Sequence, residues 1–411
     1  MEEFLQRAKR SASTLLQIDG NKKKKVLNDM ADTLLEYQED ILEANRMDLD
    51  YAKENNLSSA LIDRLLLNEK RVNAMANSIR EIALLKDPIG RVLDGWVLDN
   101  GLKIEKVSIP IGVIGIIYES RPNVTSDAAA LCFKSSNVCI LKGGKEAKNS
   151  NKAIAKALQD ALVKNSLPKE IVSLLPDYSR EGVSKLIKMD KYVDLIIPRG
   201  GDALIRYVSE NATVPVVKHD KGLCHTYIDK DADFKKAIDI AVNAKVQRPG
   251  VCNAMETLLV DYAIKDEMLL KLYEAFKPHL TTLKGCALTR EVIDIEEATE
   301  EDFNTEYLDN ILSIKVVDGV DEAIEHIRKY GSGHSEAIVT ENYTTAQKFL
   351  NSIDAACVYV NASTRFTDGG VFGFGAEVGI STNKLHARGP MGINDLTTYK
   401  YKIYGDGQIR E

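Results

Sequence analysis

Hydrophobic positions change their spacing along the chain, and the changes mark its parts. In residues 1–90, Val26, Met30, Leu34, Leu35, Ile41 and Leu42 recur at the interval of a helix face. Similar spacing predicts helices over Ser58–Leu67 and Lys70–Ala83. Nothing in this region carries evident chemistry, and it reads as packing for a later sheet. Between Val92 and Val107 the character shifts. Trp96-Val97-Leu98 and Leu102–Val107 flank Asp99-Asn100-Gly101, and Asn-Gly is the strongest short hairpin signal. A two-strand arm is not stable alone, so it needs another domain or subunit. Leu396–Ile403, with alternating Thr and Tyr, predicts a strand able to pair with it.

From Ile109 onward, short apolar runs alternate with helical stretches. Strands are predicted at Ile111–Ile117, Val138–Leu141, Ile171–Leu175, Val193–Ile197 and Val214–Val217, with helices over Ala147–Val163, Arg180–Lys188 and Asp202–Val208. A second series has strands at Cys224–Ile228, Thr257–Val260, Ile311–Val317, Glu336–Val339 and Val358–Val360, separated by helices over Phe234–Ala244, Glu267–Phe276, Asp321–Lys329 and Thr344–Asn351. Such alternation predicts an α/β fold with doubly wound, mainly parallel sheets, whose ligands sit beyond the strand C-termini. A glycine-rich segment follows at Asp368–Gly379.

Gln247-Arg248-Pro249-Gly250-Val251-Cys252 interrupts the second series. Proline lacks a donor and glycine is permissive, so Arg-Pro-Gly ends the preceding helix. The expectation is that Cys252 opens a second helical segment, where amide N–H groups and Arg248 would favour its thiolate. Cys252 is the candidate nucleophile. Cys132, Cys139, Cys224 and Cys357 lie in apolar runs and read as core, and Cys286 as surface or loop.

Composition narrows the classes. The 411 residues are 44% hydrophobic with a net charge of −7, enough for two or three domains and without the basic field of a nucleic-acid binder. Lys22–Lys25 reads as a solvated helix entrance. No apolar run reaches the roughly 20 residues of a membrane helix, and the charged N-terminus does not resemble a secretory signal. The six cysteines show neither CxxC nor metal-ligand spacing. No metal is therefore expected, and a reducing cytoplasm is. No intact GxGxxG follows a strand, so a standard dinucleotide grip is not indicated. Two glycine pairs do open helices: Gly143-Gly144, flanked by Lys142 and Lys145, and Gly200-Gly201. Such turns admit anions to backbone amides.

Ile111–Asn123, Val138–Lys145, the Pro198–Gly201 turn and the Cys252 turn resemble, in order and spacing, the aldehyde dehydrogenase superfamily. The resemblance covers nearly the whole chain, including the hairpin arm and C-terminal strand that build dimers in that superfamily. Val317, Ala323-Ile324, His326-Ile327, Tyr330-Gly331-Ser332, His334-Ser335-Glu336 and Ile338 are similar to a long signature of its branch acting on L-glutamyl 5-phosphate, as are Ser120–Asn123 and His386–Gly392. The resemblance implies a cofactor-binding domain over 1–90 and 109–221 and a catalytic domain over 222–372. It further implies an oligomerisation arm of 91–108 and 393–411, with 373–392 as a linking segment.

By the same resemblance, Cys252 is the nucleophile and Asn123 the oxyanion-hole amide. Lys142 holds the adenosine ribose, and Glu306 the nicotinamide ribose. Lys145 stands where NAD-using relatives often carry a glutamate. A cation there favours a 2′-phosphate, so NADPH/NADP is the expected cofactor, with Gly143, Gly144, Gly200 and Gly201 lining its site. The implied reaction is NADPH-dependent reduction of L-glutamyl 5-phosphate to L-glutamate 5-semialdehyde and phosphate through a cysteine thioester, in proline biosynthesis.

One departure from the superfamily is informative. Hydrolytic members place a general-base glutamate upstream of the cysteine. The matching position here is Lys218, beside His219, and Asp220 is the only nearby carboxylate. Without a base to activate water, a thioester survives for another acceptor. Arg121, Arg248 and Arg388 are candidates for the substrate's phosphate and carboxylate, and His219 and His334 for substrate contact or proton transfer. The partners expected are a small-molecule substrate, a second copy in a homodimer, and functional coupling to a separate glutamate 5-kinase, with no nucleic acid or membrane. A CoA-acylating or hydrolytic semialdehyde dehydrogenase, and a non-catalytic scaffold of the same fold, are the alternatives.

Overall fold

The computed structural model describes residues 1–218 and 221–410. It divides into two compact units, Met1–Lys218 with Gly373–Gly379 and Met391–Glu411, and His219–Phe372 with Ile380–Pro390.

The first unit opens with helices Glu2–Leu15, Gly20–Glu36, Gln38–Glu54, Ser59–Leu65 and Glu69–Leu84. Asp19, Ser58 and Asn68 cap three of them by accepting from backbone N–H groups. The hairpin follows as β1 (Val92–Val97) and β2 (Lys103–Pro110), antiparallel. Then β3 (Val113–Tyr118), β4 (Val138–Lys142), β5 (Val172–Leu174) and β6 (Leu195–Arg199) form a parallel sheet in the order β5-β4-β3-β6.

Two boundaries in this unit differ from the sequence expectation. β3 starts at Val113 because Gly112 adopts φ +133°, with Asp194 packed where a side chain would stand. Val214–Val217 makes a single parallel bridge, Ile196 to Val216, rather than a strand. Pro215 accepts from Ile196 N–H at 2.8 Å but has no N–H to extend the ladder.

The second unit contains β7 (Cys224–Ile228), β8 (Met255–Asp261), β9 (Thr282–Gly285), β10 (Glu296–Glu297), β11 (Ile311–Val317), β12 (Ser335–Val339) and β13 (Cys357–Val360). They form one parallel sheet ordered β10-β9-β11-β8-β7-β12-β13. Its two faces carry different helices. Ala237, Ala241, Ala244, Met268, Leu272 and Phe276 pack with Leu258, Val260 and Ile314 on one face. Ala323, Ile324, Ile327 and Phe349 pack with Tyr227, Leu259 and Ile338 on the other. This is the doubly wound arrangement that continuous apolar strands predict. β9 and β10 were not evident in the sequence, because each is short and lacks a long apolar run.

Two short strands, β14 (Gly379–Ser381) and β15 (Gly389–Met391), pair with each other. The final strand, β16 (Thr397–Tyr404), pairs antiparallel with β2, as its alternation suggests. The resulting sheet β1-β2-β16 exposes Val92, Trp96, Val97, Tyr401 and Ile403. Trp96 meets Tyr401 edge-on with ring centroids 6.2 Å apart. Among the described residues, no helix is long and apolar enough to cross a membrane, and no cluster of His, Cys, Asp or Glu is placed to hold a metal.

Candidate active site

In the second unit, Cys252 lies at the N-terminal edge of the seven-stranded sheet. The helix Phe234–Val246 ends before Arg248-Pro249-Gly250, and residues 251–254 form turns that run directly into β8. No helix begins at Cys252, which corrects the sequence expectation. The turn closes through Ala254 N–H to the Val251 carbonyl at 3.0 Å, and the peptide groups then enter the β8 ladder instead of a helix. The preceding helix presents its C-terminal end here, which carries partial negative charge. The dipole of that helix therefore does not favour a thiolate at Cys252.

The turn is gripped from several segments. Gly222 packs so closely that a side-chain carbon there would stand 2.1 Å from the Cys252 carbonyl oxygen and 2.5 Å from its Cα. Gly222 N–H donates to Glu306 Oε1 at 2.9 Å, so Glu306 lies beside the Cys252 turn. Asn253 is buried and donates through Nδ2 to the Thr367 carbonyl at 2.7 Å, while its own carbonyl accepts from Thr364 Oγ1 at 2.7 Å. Arg365, which sequence reasoning passed over, donates to Gln247 Oε1 at 2.8 Å and to Asn253 Oδ1.

Behind the turn lie ionisable and polar groups. Cys224 Sγ donates to the Cys252 carbonyl at 3.2 Å and lies 3.7 Å from His334 Nδ1. Burial pushes the Cys224 thiol well up. His334 is buried and also meets Ser335 Oγ at 2.9 Å; Ser335, Thr367 and Tyr359 continue a hydroxyl chain. Lys245 and Glu256 pair at 2.6 Å with side-chain exposures of 0% and 1%. Burial pushes Glu256 up to about 7, with Lys245 pulling the other way, and burial also lowers Lys245. His225 pairs with Glu336 at 2.9 Å, and burial raises Glu336. The His225 ring stands edge-on to His326, with centroids 5.5 Å apart. Only tertiary folding reveals these pairs, since Lys245 and Glu256 sit on different elements, as do His225 and Glu336.

The other candidates in this unit vary. Arg248 is exposed. Arg388 is paired with Asp354, through NH1 to Oδ1 at 2.8 Å and NH2 to the carbonyl at 3.1 Å. His219 and Asp220 lie outside the described residues.

In the first unit, the strand order reverses between β3 and β6, and both C-terminal ends carry candidate residues. After β3, Ser120 takes φ +32° and donates through N–H and Oγ to Glu146 Oε1 at 2.7 and 2.8 Å. Arg121 is half-buried in this loop. Asn123 begins the helix Asn123–Lys134, is exposed, and donates through Nδ2 to Asp127 Oδ2 at 3.1 Å. Burial pushes Asp127 up to about 6, with Asn123 opposing.

At the end of β4, Lys142 is buried and donates to the carbonyls of Tyr178 at 3.0 Å and Gly143 at 3.2 Å; burial lowers its pKa. Gly143 and Gly144 leave room filled by Asn151 and Glu146, and Lys145 is exposed. After β6, Gly201 N–H donates to Glu119 Oε2 at 2.9 Å before the helix Asp202–Asn211. A buried ammonium held by carbonyls, glycine turns opening helices and an exposed lysine beside them fit a phosphate-bearing dinucleotide.

The described geometry thus gathers Cys252, Glu306 and His334 in the second unit. Asn123, Arg121, Lys142, Lys145 and both glycine pairs belong to the first.

The model of the aldehyde dehydrogenase family matches residues 1–285 and 282–401. Gamma-glutamyl phosphate reductase of a Nitratiruptor species is 83% identical over 412 residues, covering 100% of both chains. The protein of the same name from Sulfurimonas denitrificans is 71% identical, again over 100% of both. Among solved structures, gamma-glutamyl phosphate reductase from Thermotoga maritima superimposes with a TM-score of 0.98 at 49% identity, covering 100% of this chain and 99% of that one.

Proposed function

The chain belongs to the aldehyde dehydrogenase family, and from that premise we propose that it reduces L-glutamyl 5-phosphate to L-glutamate 5-semialdehyde, releasing phosphate, with NADPH as reductant, in proline biosynthesis. The carrying observation is the end-to-end likeness to relatives named for that activity. The absence of a glutamate at Lys218, where hydrolytic members keep a general base, supports it.

Cys252 Sγ attacks the acyl carbon. An S–C bond forms, the C–O bond to the phosphoryl group breaks, and its electron pair leaves with phosphate. The Asn123 amide and the Cys252 backbone N–H stabilise the tetrahedral oxyanion. A thioester on Cys252 remains. Lys142, Lys145, Gly143, Gly144, Gly200, Gly201 and Glu306 would hold the nicotinamide cofactor, which would supply the hydride that reduces the thioester carbon. Cys252 then departs as thiolate from the hemithioacetal, leaving the semialdehyde. Lys145 selects the 2′-phosphate of NADP over the 2′-hydroxyl of NAD. Arg121, Arg248 and Arg388 are proposed for the substrate's anionic groups, and His219 and His334 for contact or proton transfer.

The exposed sheet β1-β2-β16 is the proposed homodimer contact, and a cytoplasmic enzyme supplied by a separate glutamate 5-kinase is the proposed setting. The test is semialdehyde oxidation with NADP or NAD, with and without phosphate. Phosphate-dependent NADPH formation is expected. Turnover that needs CoA, or that proceeds to the free acid without phosphate, overturns the reading.

A further inference from the structure

Of the arginines considered from sequence, Arg388 is engaged by Asp354. Arg365 is placed differently. It sits on the short turn Thr364–Phe366, whose Ser363 cap accepts from Arg365 N–H at 3.3 Å. Its guanidinium reaches Gln247, just before the nucleophile turn, and Asn253, just after Cys252. It therefore spans the turn that carries the thiol. Asn253 is itself fixed by Thr364 and Thr367, so the turn and the 363–367 segment form one braced piece.

Both hydrogen-bond acceptors of Arg365 are neutral amides. Among the described residues, no carboxylate forms an ion pair with it. Its hydrogen bonds thus hold the guanidinium in place without pairing it to a carboxylate. Burial lowers the Arg365 pKa, Arg248 adds to that, and Cys252 and Asp368 oppose it. Arg248 directly follows Gln247, to which Arg365 is bonded, so both arginines belong to the one braced turn, and a dianionic ligand there would meet two cations. Planar guanidinium groups match phosphate oxygens through paired N–H donors.

We propose that Arg365 is a further substrate-binding residue which, together with Arg248, holds the phosphoryl group of the acyl phosphate while Cys252 displaces it. This rests on the reduction assigned above. As the S–C bond forms and the C–O bond breaks, the electron pair passes to the phosphate oxygen. Negative charge grows there, where the two guanidinium groups stand. In the reverse direction the same pair binds inorganic phosphate for attack on the thioester.

The experiment uses the full-length enzyme in the oxidative direction, with inorganic phosphate as the probe. Without phosphate, a rapid burst of NADPH reports thioester formation; with phosphate, steady turnover reports its phosphorolysis. Arg365→Gln should keep the burst and the semialdehyde KM within about twofold while raising the phosphate KM about tenfold or more. Arg365→Lys, which keeps charge but loses the planar fork, should raise it by a smaller factor.

An unchanged phosphate KM in Arg365→Gln with the burst intact overturns the proposal. If Arg365→Gln loses the burst by disturbing the turn, Arg365→Lys decides: a raised phosphate KM with a normal burst supports phosphate binding. A normal phosphate KM, or loss of the burst there too, assigns Arg365 to bracing alone. Failure of the parent reading looks different, since wild-type enzyme would then show no phosphate-dependent turnover at all.

Discussion

The candidate residues of the two parallel sheets lie at opposite edges. In the four-stranded sheet the candidate residues follow β3, β4 and β6 at the C-terminal edge. Helix N-termini and glycine-turn amides gather there, and a phosphate-bearing ligand needs little more. In the seven-stranded sheet Cys252 precedes β8, Gly222 precedes β7, and Ser332–His334 precede β12, all at the N-terminal edge. Helices arrive there by their C-terminal ends, which disfavour an anion. That edge is built from side chains instead: Arg365 spanning the Cys252 turn, the amides of Gln247 and Asn253, and the buried pairs Lys245–Glu256 and His225–Glu336. The first edge thus offers backbone amides together with Lys142 and Lys145, whereas the second offers side chains brought from distant segments.

Each edge can be perturbed separately. Cys252→Ala should lower reduction by about a thousandfold or more while leaving NADPH binding, followed by fluorescence, nearly unchanged. Loss of both together would mean that the two edges are not separable. Lys245→Met strands a buried carboxylate and should cost about 3–5 kcal/mol of stability in denaturant unfolding, most of it recovered in Lys245→Met/Glu256→Leu. If the single variant is as stable as wild type, the pair does not support the Cys252 turn.

Lys145→Glu at the first edge should cut the preference for NADP over NAD by about tenfold in kcat/KM, without altering the alkylation rate of Cys252. The smallest effect concerns His326, whose pKa burial lowers to about 2, with His225 adding to it. The unfolded imidazole takes up a proton near its ordinary value while the folded one does not. Its stability contribution is therefore present above about pH 6.5 and falls by up to about 1.4 kcal/mol per pH unit below that. His326→Gln should flatten the fall in stability between about pH 6.5 and about pH 5; an unaltered slope would show that other groups govern acid sensitivity.

Most of the elements were legible in the chain because parallel strands buried on both faces read as nearly unbroken apolar runs, as the fully buried β3 and β4 do. The misreadings were local. The proline in Val214–Val217 reduced a strand to one bridge, and the segment after Arg248-Pro249-Gly250 entered β8 rather than a helix. Cys252, Lys142 and the glycine pairs stand out as candidates in the sequence because each sits in a short, contiguous motif.

Sequence alone determined the alternation of strand and helix, the turn that carries Cys252 and the family resemblance, all of which depend on neighbouring residues and their spacing. Tertiary structure decided which sheet edge carries the thiol, that Arg365 spans its turn from more than a hundred residues away, and that Arg388 is engaged by Asp354. It also buried Lys245 against Glu256 and His225 against Glu336. Those outcomes depend on strand order and on removing charges from water, and neither leaves a periodic trace along the chain.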